Sequence, residues 1–172
     1  MTDAPPFPFP ENEAVRKVAA EMLWPKILKW AEDGGDNHPE EIRGDVVDCL
    51  GDAMEDDGYK LAKLLDDENV LDPDSQLVDV LDNFHMYQHN AVRESRVAWV
   101  KATGWVPTLK VGDKVTRPDM LSRSGKPVGT KRIPCVVANV GADEGIYTLQ
   151  DGDTPVGPNG YLYPHTVIEV RA

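Results

Sequence analysis

The chain has 172 residues, a formal net charge of −12 and a mean hydropathy of −0.42. That length allows one compact unit or two small ones with a real core, and its short apolar runs exclude a membrane-spanning helix. The opening "MTDAPPFPFPEN" has neither the basic nor the apolar region of a signal peptide, so a cytoplasmic location is expected. Cys49 and Cys135 are far apart in sequence and read as small buried hydrophobes rather than a disulfide framework. Charge is unevenly placed: residues 1–105 hold 23 acids and 10 bases, whereas 106–172 hold 7 and 8. Two regions with different jobs are expected.

Residues 1–11 form a proline–phenylalanine arm, extended and polyproline-like over "DAPPFPFP". It is either a free tail or an arm that docks Phe7 and Phe9. From Asn12, the residues Val15, Val18, Ala19, Met22, Leu23, Ile27 and Trp30 recur at helical spacing. Pro25 predicts a kink or a break into two pieces, and Gly34 and Gly35 end the segment. A second helix opens at "NHPEE", capped by Asn37 or His38, and runs to Asp56–Gly58. "YKLAKLLDD" is a short third helix. "LDPDSQ" caps a long fourth, from Ser75 to Lys101, with Leu77, Val80, Leu81, Phe84, Tyr87 and Ala91 on one face. Residues 12–104 thus read as an acidic helical bundle with antiparallel neighbours.

After "GWVPTLK" the periodicity becomes that of strands: "KVGDKVTR", "IPCVVANV", "GIYTLQD", "GYLYP" and "TVIEVRA". Five short strands, with "PHT" as a 3₁₀ turn before the last, resemble the small SH3-like barrel over 107–172. That fold serves many unrelated binding modules, so the resemblance implies architecture rather than activity. The expected class is α+β, a helical bundle followed by a five-stranded SH3-like β-barrel. Trp99 and Trp105 are expected to pack where the two parts meet. "PPFPFPEN", "DDGYKLAKLLDD" and "AWVKATGW" resemble segments of small accessory proteins of bacteriophages and prophages, which implies a context rather than a chemistry.

No glycine-rich phosphate loop, paired CxxC or HExxH occurs. "DGDTPVGPNGYL" lacks the ligands of a calcium loop and reads as a turn. Asp82, His85 and His89 share one side of the fourth helix at i, i+3 and i+7. They are the weak candidate for a metal site; no metal and no cofactor are expected. Cys49 shares helix spacing with Val46, Leu50 and Ala53 and reads as core. No arrangement of acid–base residues suggests catalysis, so the chain is expected not to be an enzyme. A small metal-dependent enzyme centred on the histidines is the outlying alternative.

Two charged surfaces remain. The stretch 117–132 reads as a long basic loop carrying Arg117, Arg123, Lys126, Lys131 and Arg132, able to meet phosphates or acidic protein, or simply solvated. Against it stands a stripe, Glu41, Asp45, Asp48, Asp52 and Glu55, followed by Asp56, on the face opposite Ile42, Val46, Cys49, Leu50 and Ala53. Between residues 32 and 82 there are 18 acids and 3 bases. Carboxylates on successive turns repeat about every 5 Å, comparable to phosphates along a nucleic-acid strand. The stripe is a solubility face, or a decoy for a basic channel. The functional expectation is a non-enzymatic, phage- or mobile-element-encoded interaction protein that occludes a basic nucleic-acid-binding host protein, as anti-CRISPR proteins occlude a CRISPR defence complex. A nucleic-acid-associated or structural phage protein using the basic stretch is the alternative.

Overall fold

The structure, a computed structural model, describes residues 6–10, 12–34, 39–54, 57–121, 127–151 and 161–170. It is α+β, with helices concentrated in the first part and a curled five-stranded antiparallel sheet in the second. The chain divides into two compact units, Pro10–Arg93 and a second that joins the segment up to Phe9 with Glu94 onward.

The first unit is helical. α1 (Glu13–Asp33) starts where Asn12 Oδ1 accepts the Ala14 N–H at 2.9 Å. It runs as one helix through Pro25, so of the expected kink or break the break does not occur. Pro25 is exposed, while Leu23, Trp24 and Ile27 around it are buried. Burial of such side chains contributes about 1.5–3 kcal/mol each, enough together to outweigh the roughly 3 kcal/mol cost of an interior proline. A 3₁₀ turn (Pro39–Ile42) leads into α2 (Arg43–Asp52), which stops short of the expected Asp56–Gly58. The caps assigned to Asn37 and His38 fall outside the described residues. α3 (Gly58–Asp67) is capped by the Asp57 side chain, which accepts from the Lys60 N–H.

The long fourth helix is in fact two, α4 (Ser75–Leu81) and α5 (Phe84–Thr103). Asp74 caps α4 as expected, accepting from Gln76 and Leu77 N–H at 2.9 Å each. The interruption is chemical. Asn83 Nδ2 donates to the Asp79 carbonyl at 2.9 Å, taking the place of a backbone donor and closing α4. Leu23, Ile27, Leu50, Leu61, Leu65 and Phe84 are fully buried in the core of this unit. Arg16 is buried with them, its guanidinium 5.0 Å from the Phe84 ring centroid.

The second unit contains β1 (Lys114–Leu121), β2 (Pro127–Gly141), β3 (Ile146–Asp151), β4 (Tyr161–Pro164) and β5 (Glu169–Val170) in the order β4-β3-β2-β1-β5. Register irregularities between Pro118 and Met120 and between Val137 and Asn139 bend β1 and β2, as bulges do. A 3₁₀ turn (His165–Val167) precedes β5, at the place the sequence suggests. Val115, Val137, Tyr147 and Leu149 make the core, and the Tyr147 hydroxyl accepts the N–H groups of Thr108 and Leu109.

The arm belongs to this unit. Phe7 is buried, its ring centroid 5.1 Å from Trp99 and 5.5 Å from Phe9, and Arg96 Nε donates to the Pro8 carbonyl. Trp99 and Trp105 both lie in this unit and flank His165, at 5.3 and 4.9 Å between centroids. Among the described residues, His165 Nδ1 is buried without a hydrogen-bond partner. Burial lowers the affinity of the ring for a proton, and contact with the Gly145 backbone only partly offsets this. A histidine whose folded pKa lies below its unfolded one contributes fully above about pH 6.5 and costs stability as pH falls below it. The urea midpoint should therefore drop between pH 7.5 and 5.5, and drop less in His165→Phe. Equal drops would remove His165 as the cause.

Candidate functional site

α2 and α3 form the walls of a groove of about 870 Å³ in the helical unit. Ile42, Cys49, Leu61, Leu64 and Val70 give it an apolar floor. Asp45, Asp48 and Asp52 rise from the α2 side, Asp67 and Glu68 from the α3 end. This follows from the helical repeat: positions 45, 48 and 52 share a face that borders the one carrying Ile42 and Cys49.

Some of these charges are spent within the unit. Lys17 bridges Glu13 at 2.8 Å and Asp48 at 2.9 Å, and the two hydrogen bonds, Glu13 first, hold its ammonium well above the ordinary lysine range. Lys63 pairs with Asp67 one turn away at 2.6 Å. Asp45, Asp52 and Glu68 carry no ion pair among the described residues. Cys49 is half-buried, packed against the core and facing the groove floor; burial, then Glu68 and Asp52, raises its thiol pKa. A thiol so placed stays protonated at neutral pH and is a poor nucleophile.

Asp45, Asp48 and Asp52 are on α2, Glu41 belongs to the preceding 3₁₀ turn, and Glu55 and Asp56 lie outside the described residues. The structure adds acids on a second helix and an apolar floor between them. Met54, 72% exposed, also lines the groove.

The histidine constellation does not sit on one helix. Asp82 lies between α4 and α5, its Oδ1 accepting the Gly58 N–H at 2.8 Å, and His85 Nδ1 lies 2.9 Å from the Asp82 carbonyl oxygen. His89 is a full turn further along α5 and exposed. Among the described residues no group of three His, Cys, Asp or Glu side chains is placed to hold a metal ion.

The basic stretch 117–132 is mostly strand rather than loop, since β1 runs to Leu121 and β2 starts at Pro127. Arg117 is buried: Nε and Nη2 donate to the two Asp151 oxygens at 3.1 and 3.0 Å, and Nη1 donates to the Tyr163 hydroxyl at 2.9 Å. Lys131 pairs with Asp119 and Arg132 with Glu169, while Arg123 and Lys126 fall outside the described residues. Cys135 Sγ–H donates to Asp151 Oδ1 at 3.2 Å, and burial pushes the Cys135 thiol up to about 11. Arg117 holds the Asp151 carboxyl below the usual carboxylate range. The cluster is a charge-assisted hydrogen-bond network whose members are occupied with one another.

Comparison with protein-family models, with curated proteins and with solved structures finds no match for the chain. No described helix is long and apolar enough to cross a membrane. The groove itself escaped the sequence reading. The signal that could have found it is the pairing of Ile42, just before α2, and Cys49 on α2 with Leu64 on α3, each beside acids.

Proposed function

We propose that this chain is a non-enzymatic interaction protein that binds a basic partner through the acidic face of its helical unit. The observation that supports it most is the clustering of Asp45, Asp52 and Glu68, unpaired among the described residues, round one groove. Five carboxylates against Lys60 and Lys63 leave the concave surface net negative, and such a field repels nucleic acid and draws in surfaces that bind it. In its most concrete form the partner is a nucleic-acid-binding host complex, such as a CRISPR defence complex, occluded sterically and electrostatically. The resemblance to phage and prophage accessory proteins favours that context. The same proposal takes residues 107–172 as an SH3-like barrel, on the strand order and the 3₁₀ turn before β5.

The test is a competition. Immobilised protein should retain nucleic-acid-binding proteins from a nuclease-treated bacterial extract at low salt, and added single-stranded DNA should displace them. Changing Asp45, Asp48 and Asp52 together to Asn should leave the urea midpoint nearly unchanged, because relief of repulsion along α2 offsets the lost Lys17–Asp48 pair. The same change should slow association about tenfold at low salt and flatten its salt dependence. Retention that neither DNA nor the triple substitution alters would return these carboxylates to a solubility role.

A further inference from the structure

The groove between α2 and α3 has three properties that together narrow what it would hold. Its floor is apolar, from Ile42, Cys49, Leu61, Leu64 and Val70. Carboxylates stand along the α2 side, Asp45 and Asp52, and Glu68 stands at the end of α3, whose wall also carries Lys60 and the Lys63–Asp67 pair. Both walls are helices of 10 residues, whose backbone groups are engaged along their own axes.

We infer that the occupant is an amphipathic α-helix of the partner protein, about three turns long, with an apolar stripe flanked by lysine or arginine on the side that faces α2 and at the end that meets Glu68. The inference rests on the reading that the helical unit binds a basic partner, and it specifies what that partner must present. An extended segment is disfavoured because helical walls offer no strand edge, so its backbone N–H and C=O groups would be desolvated over the apolar floor without partners. A helix satisfies its own backbone and offers side chains at i, i+3, i+4 and i+7 to such a floor. Each wall is about 15 Å long at 1.5 Å per residue, which matches a guest of that length. A purely electrostatic ligand would leave the floor wet, and a purely apolar one would strip water from the carboxylates for nothing in return. Only a helix carrying both features meets both surfaces. Met54, exposed beside the groove, supplies an unbranched side chain that adapts to varied apolar partners.

The test uses the whole protein and synthetic peptides. One peptide of about 14 residues carries leucines at i, i+3, i+4 and i+7 with about six flanking lysines and arginines. A second has the same composition, scrambled to destroy the stripe. Fluorescence anisotropy at 50 and 150 mM salt should show the striped peptide binding at least tenfold tighter than the scramble. NMR shifts should fall on α2 and α3. Leu64→Lys should weaken the striped peptide at least tenfold, and so should the double change Asp52→Lys, Glu68→Lys, whose exposed positions leave the core untouched. Equal, salt-sensitive binding of both peptides would overturn the helix-in-groove inference while leaving the basic-partner reading standing. Binding of neither peptide at low salt would overturn both. A dimer in sedimentation equilibrium that Leu64→Lys dissociates would assign the groove to a second copy of the chain and overturn the inference as well.

Discussion

Replacing Arg117 by leucine should destabilise the sheet unit by about 3 kcal/mol, because it strands Asp151 and the Tyr163 hydroxyl beside an apolar core. Arg117 is buried, and its guanidinium makes five hydrogen bonds to described residues: two to Asp151, one to Tyr163 and two to the carbonyls of Pro118 and Asp119. Removing one partner of a buried pair costs about 3–5 kcal/mol, and the Asp151 side chain, 33% exposed, recovers some hydration, which places the effect at the lower end. Adding Asp151→Asn to Arg117→Leu should restore part of the loss, since no charge is then left unpaired. Acid titration gives an independent check. Arg117 keeps the Asp151 carboxyl below its usual range, so the contribution of the pair is complete above about pH 4 and fades as pH falls through the lower folded value. The parent and the leucine variant should converge in stability toward pH 2. A urea-unfolding difference under about 1 kcal/mol at pH 7 would show that the pair only breaks even.

Gly58→Ala should cost a comparable amount, about 3 kcal/mol, and should disturb the groove. A Cβ at this position would stand 2.6 Å from the Val78 carbonyl oxygen and 2.7 Å from the Asp82 amide nitrogen, and would collide with Asp82 Oδ1. The first two are backbone atoms, so α3 or the end of α4 must move, and overpacking of that kind costs about 1–3 kcal/mol and occasionally more. Moving α3 also strains the hydrogen bond from Gly58 N–H to Asp82. Gly44→Ala is the control. Its Cβ meets nothing within 4 Å on exposed α2, and alanine there should add about 0.5–1 kcal/mol. Thermal melts of the two variants should move in opposite directions. A stable Gly58→Ala variant with unshifted α3 resonances would contradict the close approach.

The helical and extended halves are legible in sequence because their apolar periods differ, and the positions of α1, α3 and β1–β3 follow from that difference. Local grammar misleads where tertiary contacts supply what it lacks. Pro25 looks like a break, yet the buried face on either side carries α1 through it. Asn83 looks like an ordinary polar residue in a helix, yet its amide replaces a backbone donor and splits the helix. Arg117 and its neighbours read as a basic loop on their charge; in the sheet Pro118 sits opposite Arg132, beside a bulge. Of the candidate site, the α2 carboxylates are visible in sequence as a stripe. The groove is not, because it is a gap between two helices, and Glu68 reaches it from an element whose approach no spacing rule gives.

The docking of Phe7 against Trp99 has a consequence for the order in which the chain matures. Residues 10–93 are contiguous and complete their own contacts as soon as they leave the ribosome. The arm leaves first and settles last: its binding surface includes Trp99 and Ile146, synthesised some 90 and 140 residues later. During that interval Phe7 and Phe9 are exposed apolar side chains on a nascent chain. Clipping the first nine residues would leave the helical unit whole while uncovering an aromatic face on the other, so a protease acting during synthesis would yield a different surface from one acting after it.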